Sequence, residues 1–187
     1  SWTGGHLLSV GDKHFSKVGI FFEPGAPEML SLRMLKGTRA GLKDPYSIML
    51  SASAAESIFG KDDPINKVIK LDRALDVKIT GVYGDLPDNT SFRDLKIMMP
   101  WELWLIQNPW AKNMTEPWGS NFSQTFVQIA GNTDMTKVSV AIKNAKLNNV
   151  SKEEAKYQWA VFLQPMNKWN LYNEFKNGYP SGGKIEL

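Results

Sequence analysis

Residues 75–83, Leu-Asp-Val-Lys-Ile-Thr-Gly-Val-Tyr, alternate apolar and polar side chains at the two-residue period of a β-strand. Leu75, Val77, Ile79, Gly81 and Tyr83 share one face, and burying that face requires neighbouring strands with a core beneath them. Val82 interrupts the alternation with an apolar group on the other face. The end of this strand is therefore expected to be covered on both sides.

Other short apolar runs surround it. Residues 5–23 read as strands about a Gly11-Asp12 turn, and 28–35 as a short helical or extended segment running to Gly37. Residues 46–50, 68–71, 95–99 and 122–130 are further strand candidates. Residues 157–164 (YQWAVFLQ) carry apolar groups on both faces, the pattern of a central strand. Two segments have helical spacing instead. Ser51 caps 52–59, with Ala52, Ala55, Ile58 and Phe59 on the buried face and Gly60 as the stop. Residues 134–147 put Met135, Val138, Ala141, Ile142 and Ala145 on one stripe. Most strands are joined by turns rather than helices, so the expected class is α+β, mostly antiparallel, with a few short helices and room for two lobes.

Composition narrows the function. The 187 residues are 42% hydrophobic and 11% aromatic, which supports a packed core and excludes disorder. No run of about 20 apolar residues is present to span a bilayer as a helix. The formal charge is only +3 with dispersed lysines, so the concentrated basic patch of a nucleic-acid binder is missing. There is no cysteine, which removes thiol nucleophiles, disulfides and Cys-ligated metals. The chain opens on Ser1-Trp2 and reads as a processed or excised piece.

Little in the sequence carries chemistry. His6 and His14 are the two histidines, without a metal-ligand spacing, and no cofactor or metal site is expected. Asp62-Asp63 and Asp85/Asp88 fall in turns, where Asx and capping roles account for them. Gly37, Gly41, Gly60, Gly81, Gly84 and the Gly182-Gly183 pair match no phosphate loop, so direct nucleotide binding is not expected. Asn113-Met-Thr115 is a formal glycosylation triplet and nothing more. Trp101, Trp104, Trp110 and Trp118 form the densest aromatic stretch. They are either a contact surface for sugar, peptide or lipid, or packing for a core or lobe interface.

Pro45-Tyr-Ser-Ile-Met-Leu-Ser51, Ala54-Ala55, Ile58-Phe59-Gly60, Asp63-Pro64-Ile65 and Lys67 occur in order. Val77-Lys-Ile-Thr-Gly-Val82 and Asp85-Leu-Pro-Asp-Asn89 follow them. Together with Gly11–Phe15, Leu35-Lys-Gly37 and the closing 175–186, this series resembles the periplasmic core domain of MacB/FtsX-type ABC transporter permeases. The resemblance implies architectural roles: Ala55 and Phe59 on the buried helix face, Gly37, Gly60, Pro64 and Pro87 at turns, and Gly81 allowing close packing. It departs from the family at Asn66, where glycine is usual, and at Thr90-Ser91, where the family often has Ser-His. The family's first strand-helix unit is also expected to be absent from 1–187, and a lobe is expected to be inserted around 46–120.

What the resemblance implies is a non-enzymatic, extracytoplasmic (periplasmic) domain of an inner-membrane permease subunit. A separate cytoplasmic ABC ATPase would power it, the permease would be a dimer, and a periplasmic or outer-membrane protein would be a partner. Tilting of membrane helices would reposition its lobes, with Trp101–Trp118 and 178–183 as contact or hinge regions. The competing reading is an extracellular glycan- or peptide-binding module that uses 101–118.

Overall fold

The computed structural model describes residues 2–169, 171–176 and 179–184. The chain forms two compact units. Unit 1 comprises Ser1–Asn113 with Phe122–Gln124, and unit 2 comprises Met114–Asn121 with Thr125–Leu187. Residues 46–113 thus belong to the same unit as 1–45, and the division falls near residue 114.

Unit 1 runs β1 (Gly4–Val10), β2 (Lys13–Phe22), α1 (Ala26–Met29), β3 (Met34–Gly37), β4 (Ser47–Ser51), α2 (Ala52–Phe59), β5 (Val68–Leu71), β6 (Leu75–Tyr83), β7 (Ile97–Pro100), α3 (Trp101–Gln107) and α4 (Pro109–Lys112). The first hairpin turns at Gly11-Asp12 as the sequence indicates, with Gly11 at φ 55°. The sheet order is β3-β6-β4-β7-β2-β1-β5, and β5 also pairs with β6. Six strands therefore close into a hydrogen-bonded ring, with β3 flanking it on β6. Only β2–β7 and β4–β6 are parallel, so the sheet is mixed and mostly antiparallel, as expected.

One face of the sheet holds the main core. Leu8, Ile48, Leu50, Ile69, Leu71, Val77, Ile79 and Ile97 cluster there with Ala54 and Ala55 of α2 and Leu103 of α3. Burial of a side chain of this size contributes about 1.5–3 kcal/mol. The α2 core contact comes from Ala54 and Ala55 rather than from Ala52, while Ile58 and Phe59 pack at the edge. Ser51 caps this helix by accepting from Ala54 N at 3.2 Å.

The strand at 75–83 departs from its expected face at one point. Ile48 pairs with Ile79, but Met49 pairs with Gly81, which leaves Thr80 as an extra, bulged residue. A bulge reverses the facing of everything after it. Val82 therefore joins Val77 and Ile79 in the main core, while Gly81 and Tyr83 turn to the opposite face. That face is buried too: Ile20, Phe22, Met49, Met98 and Tyr83 lie in its strands, with Gly41 beside Met49, Met34 beside Gly81 and Phe92 beside Phe22. The Thr80 hydroxyl anchors the bulge at the Gly41 carbonyl, 2.7 Å away. Coverage of both faces near the strand's end is as the sequence indicates.

Unit 2 has helix α5 (Met135–Ile142), helix α6 (Lys152–Ala155) and a hairpin of β8 (Glu174–Lys176) with β9 (Tyr179–Gly182). Asp134 caps α5 through Thr136 N at 2.7 Å, and Ser151 caps α6 through Glu154 N at 3.3 Å. The helix expected to reach residue 147 stops at Ile142, and Ala141 of its stripe is exposed. Two expected strands, 122–130 and 157–164, join no sheet. Their patterns have strand propensity, but a strand exists only where an edge pairs with it. The chain at 157–164 lies instead beside α5. The closing residues 185–187 and position 178 of the hinge segment fall outside the described residues.

Candidate functional site

The expected architectural positions have definite surroundings. Gly37 takes φ 69° and sits opposite Gly81 in the β3–β6 pair. A side chain on Gly37 would collide with the Thr80 carbonyl oxygen and lie 3.0 Å from Gly81 Cα. A side chain on Gly81 would meet the mobile ends of Met34 (3.0 Å) and Met49 (3.2 Å), a softer obstruction. Gly60 ends α2 at φ 60°, its N–H donating to Glu56 O at 2.7 Å. Ala55 is buried, and Phe59 lies under the Lys67 ammonium, 4.9 Å from the ring centre. Pro64 is buried and accepts from Lys67 N, whereas Pro87 is exposed and accepts from Thr90 N. Asn66 takes φ 65°, the left-handed backbone that asparagine tolerates where the family usually has glycine.

Glycine at position 19 is a feature that pattern reading misses. Its missing side chain is filled by Ile97 Cγ1, 2.5 Å from where Cβ would stand, and by His6 Cδ2 at 2.9 Å. Nothing in a strand-like sequence announces such a contact, because it depends on the parallel partner β7.

Asp85 gathers the strongest polar cluster. It accepts from Ser53 N (2.9 Å), from the Ser53 hydroxyl and from Lys96 Nζ (2.7 Å), tying the first turn of α2 to the start of β7. Burial pushes this carboxyl up, but the Lys96 hydrogen bond and the two from Ser53 outweigh it and hold it down at about 2. Its neighbour Tyr83 is buried, which raises its phenol well above the usual range, with the Asp85 charge adding to the effect. The folded state binds the Asp85 proton more weakly than the unfolded chain does. Its stabilisation is therefore complete above about pH 4 and is lost as pH falls through about 2. After discounting for solvent screening of a side chain about one-third exposed, the contribution is about 1 kcal/mol. Asp85→Asn is expected to flatten the stability profile between pH 4 and pH 2 in urea melts, with an unchanged slope as evidence against the network.

The two histidines have local partners. His6 Nδ1 lies 2.7 Å from Asp72, and His14 Nδ1 lies 2.8 Å from the Ser9 hydroxyl. Among the described residues, no three His, Asp or Glu side chains gather as a metal site.

The tryptophan stretch divides between the units. Trp101 and Trp104, one turn apart on α3, stack at 4.5 Å and 10°. Phe122 lies parallel to Trp104 at 5.6 Å, and Trp110 stands edge-on to Trp104 (5.9 Å) and Phe122 (5.4 Å). Trp101 and Trp104 also pack against the main core, while Trp110 is half-exposed. Trp118 belongs to unit 2. Phe122, read from sequence as a strand residue, completes the cluster from the far side of the 114–121 segment.

The fold and these surfaces define an α+β scaffold domain: a closed sheet pinned by close glycine contacts, an aspartate clasp and an aromatic cluster. The chain matches the family of MacB-like periplasmic core domains across residues 3–145, and it belongs to that family. Two solved structures share the fold. A domain from Porphyromonas gingivalis assigned to a permease protein aligns with TM-score 0.61 and 17% identity, over 85% of this chain and 65% of that one. The periplasmic region of MacB from Actinobacillus actinomycetemcomitans aligns with TM-score 0.55 and 16% identity, over 83% of this chain and 72% of that one. The chain thus spans 65% of the length of the Porphyromonas gingivalis domain. No curated protein matches it. Among the described residues, no helix is long and apolar enough to cross a membrane.

Proposed function

We propose that this chain is the extracytoplasmic domain of an ABC transporter permease subunit and that it transmits motion rather than catalysing a reaction. The observation that carries the reading is the family match over residues 3–145. On this reading the domain lies on the periplasmic side of the inner membrane, between membrane helices of the full-length permease. A cytoplasmic ATPase supplies the energy, and two permease copies and a periplasmic or outer-membrane protein complete the assembly.

The physical support comes from unit 1. Bending a closed ring of six strands means breaking ladder hydrogen bonds on both edges of a strand at once, so the ring moves as a body. Motion then concentrates between units, as in hinge transitions of rigid parts. The alternative, a glycan- or peptide-binding module at 101–118, has weaker support. Trp101, Trp104 and Phe122 stack on one another, which takes up the ring faces a sugar platform would present. The architectural roles of Gly37, Ala55, Phe59, Gly60, Pro64, Gly81 and Pro87 are part of the same proposal: they keep unit 1 rigid. The experiment that tests the reading is a distance measurement between the units in the full-length transporter as nucleotide is varied.

A further inference from the structure

Helix α5 and residues 157–165 line a groove of about 920 Å³ in unit 2, within the range of roughly 300–1,000 Å³ usual for small-molecule sites. Two hydrogen bonds fix its direction. Val161 N donates to Lys143 O and Leu163 N to Ser139 Oγ, each at 3.0 Å. Two residues forward along the chain are therefore four residues back along the helix, so the segment runs antiparallel to α5. The spacings agree, because two extended residues and four helical ones each cover roughly 6 Å. Continued by two residues, Pro165 comes level with Met135, and the groove runs about 12 Å from there to Lys143.

Its two ends carry charge and its middle does not. Lys143 lines one end beside Val161, and Lys168, whose N–H donates to Pro165 O at 3.0 Å, lines the other. Val140, Val161 and Leu163 line the stretch between, where the Ser139 hydroxyl is already engaged by Leu163 N. No Asp or Glu lines the groove. Asp134, next to Met135, accepts from the Thr136 amide of its own helix at 2.7 Å. Neither Lys143 nor Lys168 has a carboxylate partner among the described residues, and Lys168 rests 5.9 Å from the centre of the Tyr172 ring. Lys146, 4.2 Å from the centre of the Trp159 ring, adds positive charge at the Lys143 end. An apolar trough between two uncompensated cations complements an elongated apolar body with an anion at each end. A one-headed amphiphile would leave one lysine without a partner, and a flat bilayer surface does not enter a concave groove.

We propose that this groove binds a small molecule of the α,ω-dicarboxylate class, with Lys143 holding one carboxylate, Lys168 the other, and the apolar chain lying along α5 between them. The proposal concerns unit 2 alone and is independent of the motion-transmitting reading above.

Calorimetric titration of the 187-residue chain with decanedioate, decanoate, hexanedioate and decanediol tests it. Decanedioate and decanoate share one apolar chain and differ in the second carboxylate. Decanedioate is expected to bind roughly fivefold more tightly than decanoate, the scale of one ion pair at an exposed lysine. Hexanedioate, too short to reach both ends, and the uncharged decanediol are expected to trail decanedioate by at least as much. Lys143→Gln and Lys168→Gln are each expected to bring decanedioate to within about twofold of decanoate. That ratio separates a lost contact from a damaged groove, which would weaken both ligands alike and leave the ratio unchanged. In amide NMR spectra, decanedioate is expected to shift Lys143, Val161 and Lys168. The proposal is overturned if decanoate binds as tightly as decanedioate, or if nothing binds up to about 10 mM. It is overturned equally if the ratio survives in either lysine variant, if these three amides do not shift, or if anionic lipid vesicles bind in preference to decanedioate.

Discussion

Gly37→Ala is expected to lower the unfolding free energy of unit 1 by about 3 kcal/mol, the largest effect of any single methyl group added to the sheet. Two costs combine. Position 37 has φ 69°, and a left-handed backbone costs a residue with a side chain about 1–2 kcal/mol. The added carbon would also collide with the Thr80 carbonyl oxygen and crowd Gly81 Cα, both backbone atoms of the central strand β6 that no rotamer change can move. Forced displacement of that kind adds about 1–3 kcal/mol. Gly11→Ala separates the two costs. Gly11 also has a positive φ, 55°, but nothing lies within 4 Å of its missing side chain. Its loss is expected to stay at the backbone cost alone. Urea unfolding of both variants checks the account, and equal losses would show that the β3–β6 approach is not tight.

Trp104→Ala is expected to cost about 3 kcal/mol, the low end for removing a large aromatic that is only partly buried. The ring stacks with Trp101, lies parallel to Phe122 and packs against the main core, so its removal leaves a hole in three directions. Trp110→Ala is expected to cost about 1 kcal/mol, because that ring is 52% exposed and meets its neighbours only edge-on. Melting temperature and binding to a glycan or peptide panel, measured on each variant, separate the two readings of this stretch. A large melting loss for Trp104 with unchanged binding assigns the cluster to packing. Unchanged melting with lost binding returns it to a contact surface.

These residues also mark what the sequence discloses. The helix at 52–59 is legible because its signals are local: a serine cap, a helical stripe and a terminal glycine. The hairpin at Gly11-Asp12 is legible for the same reason, whereas the left-handed Asn66 is reached only through the resemblance, which places glycine there. Local signals end at the Thr80 bulge, which exists only because β4 supplies one residue where β6 supplies two. The same dependence on a partner hides the Gly19 contact with Ile97. It also explains why 157–164 has the pattern of a central strand yet lies unpaired: composition supplies propensity, and the edge must come from elsewhere. The aromatic cluster was legible as a concentration of tryptophan, but not as a stack, since Phe122 reaches it from beyond two prolines.

The most direct test of the motion-transmitting reading is a spin-label distance measurement in the full-length permease with its ATPase in a membrane. Residues 1–187 contain no cysteine, so Lys61→Cys in unit 1 and Lys156→Cys in unit 2, both at exposed positions, provide a labelled pair without a competing thiol in this segment. The account predicts that the distance distribution shifts between the nucleotide-free and ATP-trapped states, while a pair placed within unit 1 stays fixed. Identical distributions in the two states, with ATP hydrolysis proceeding normally, would contradict it.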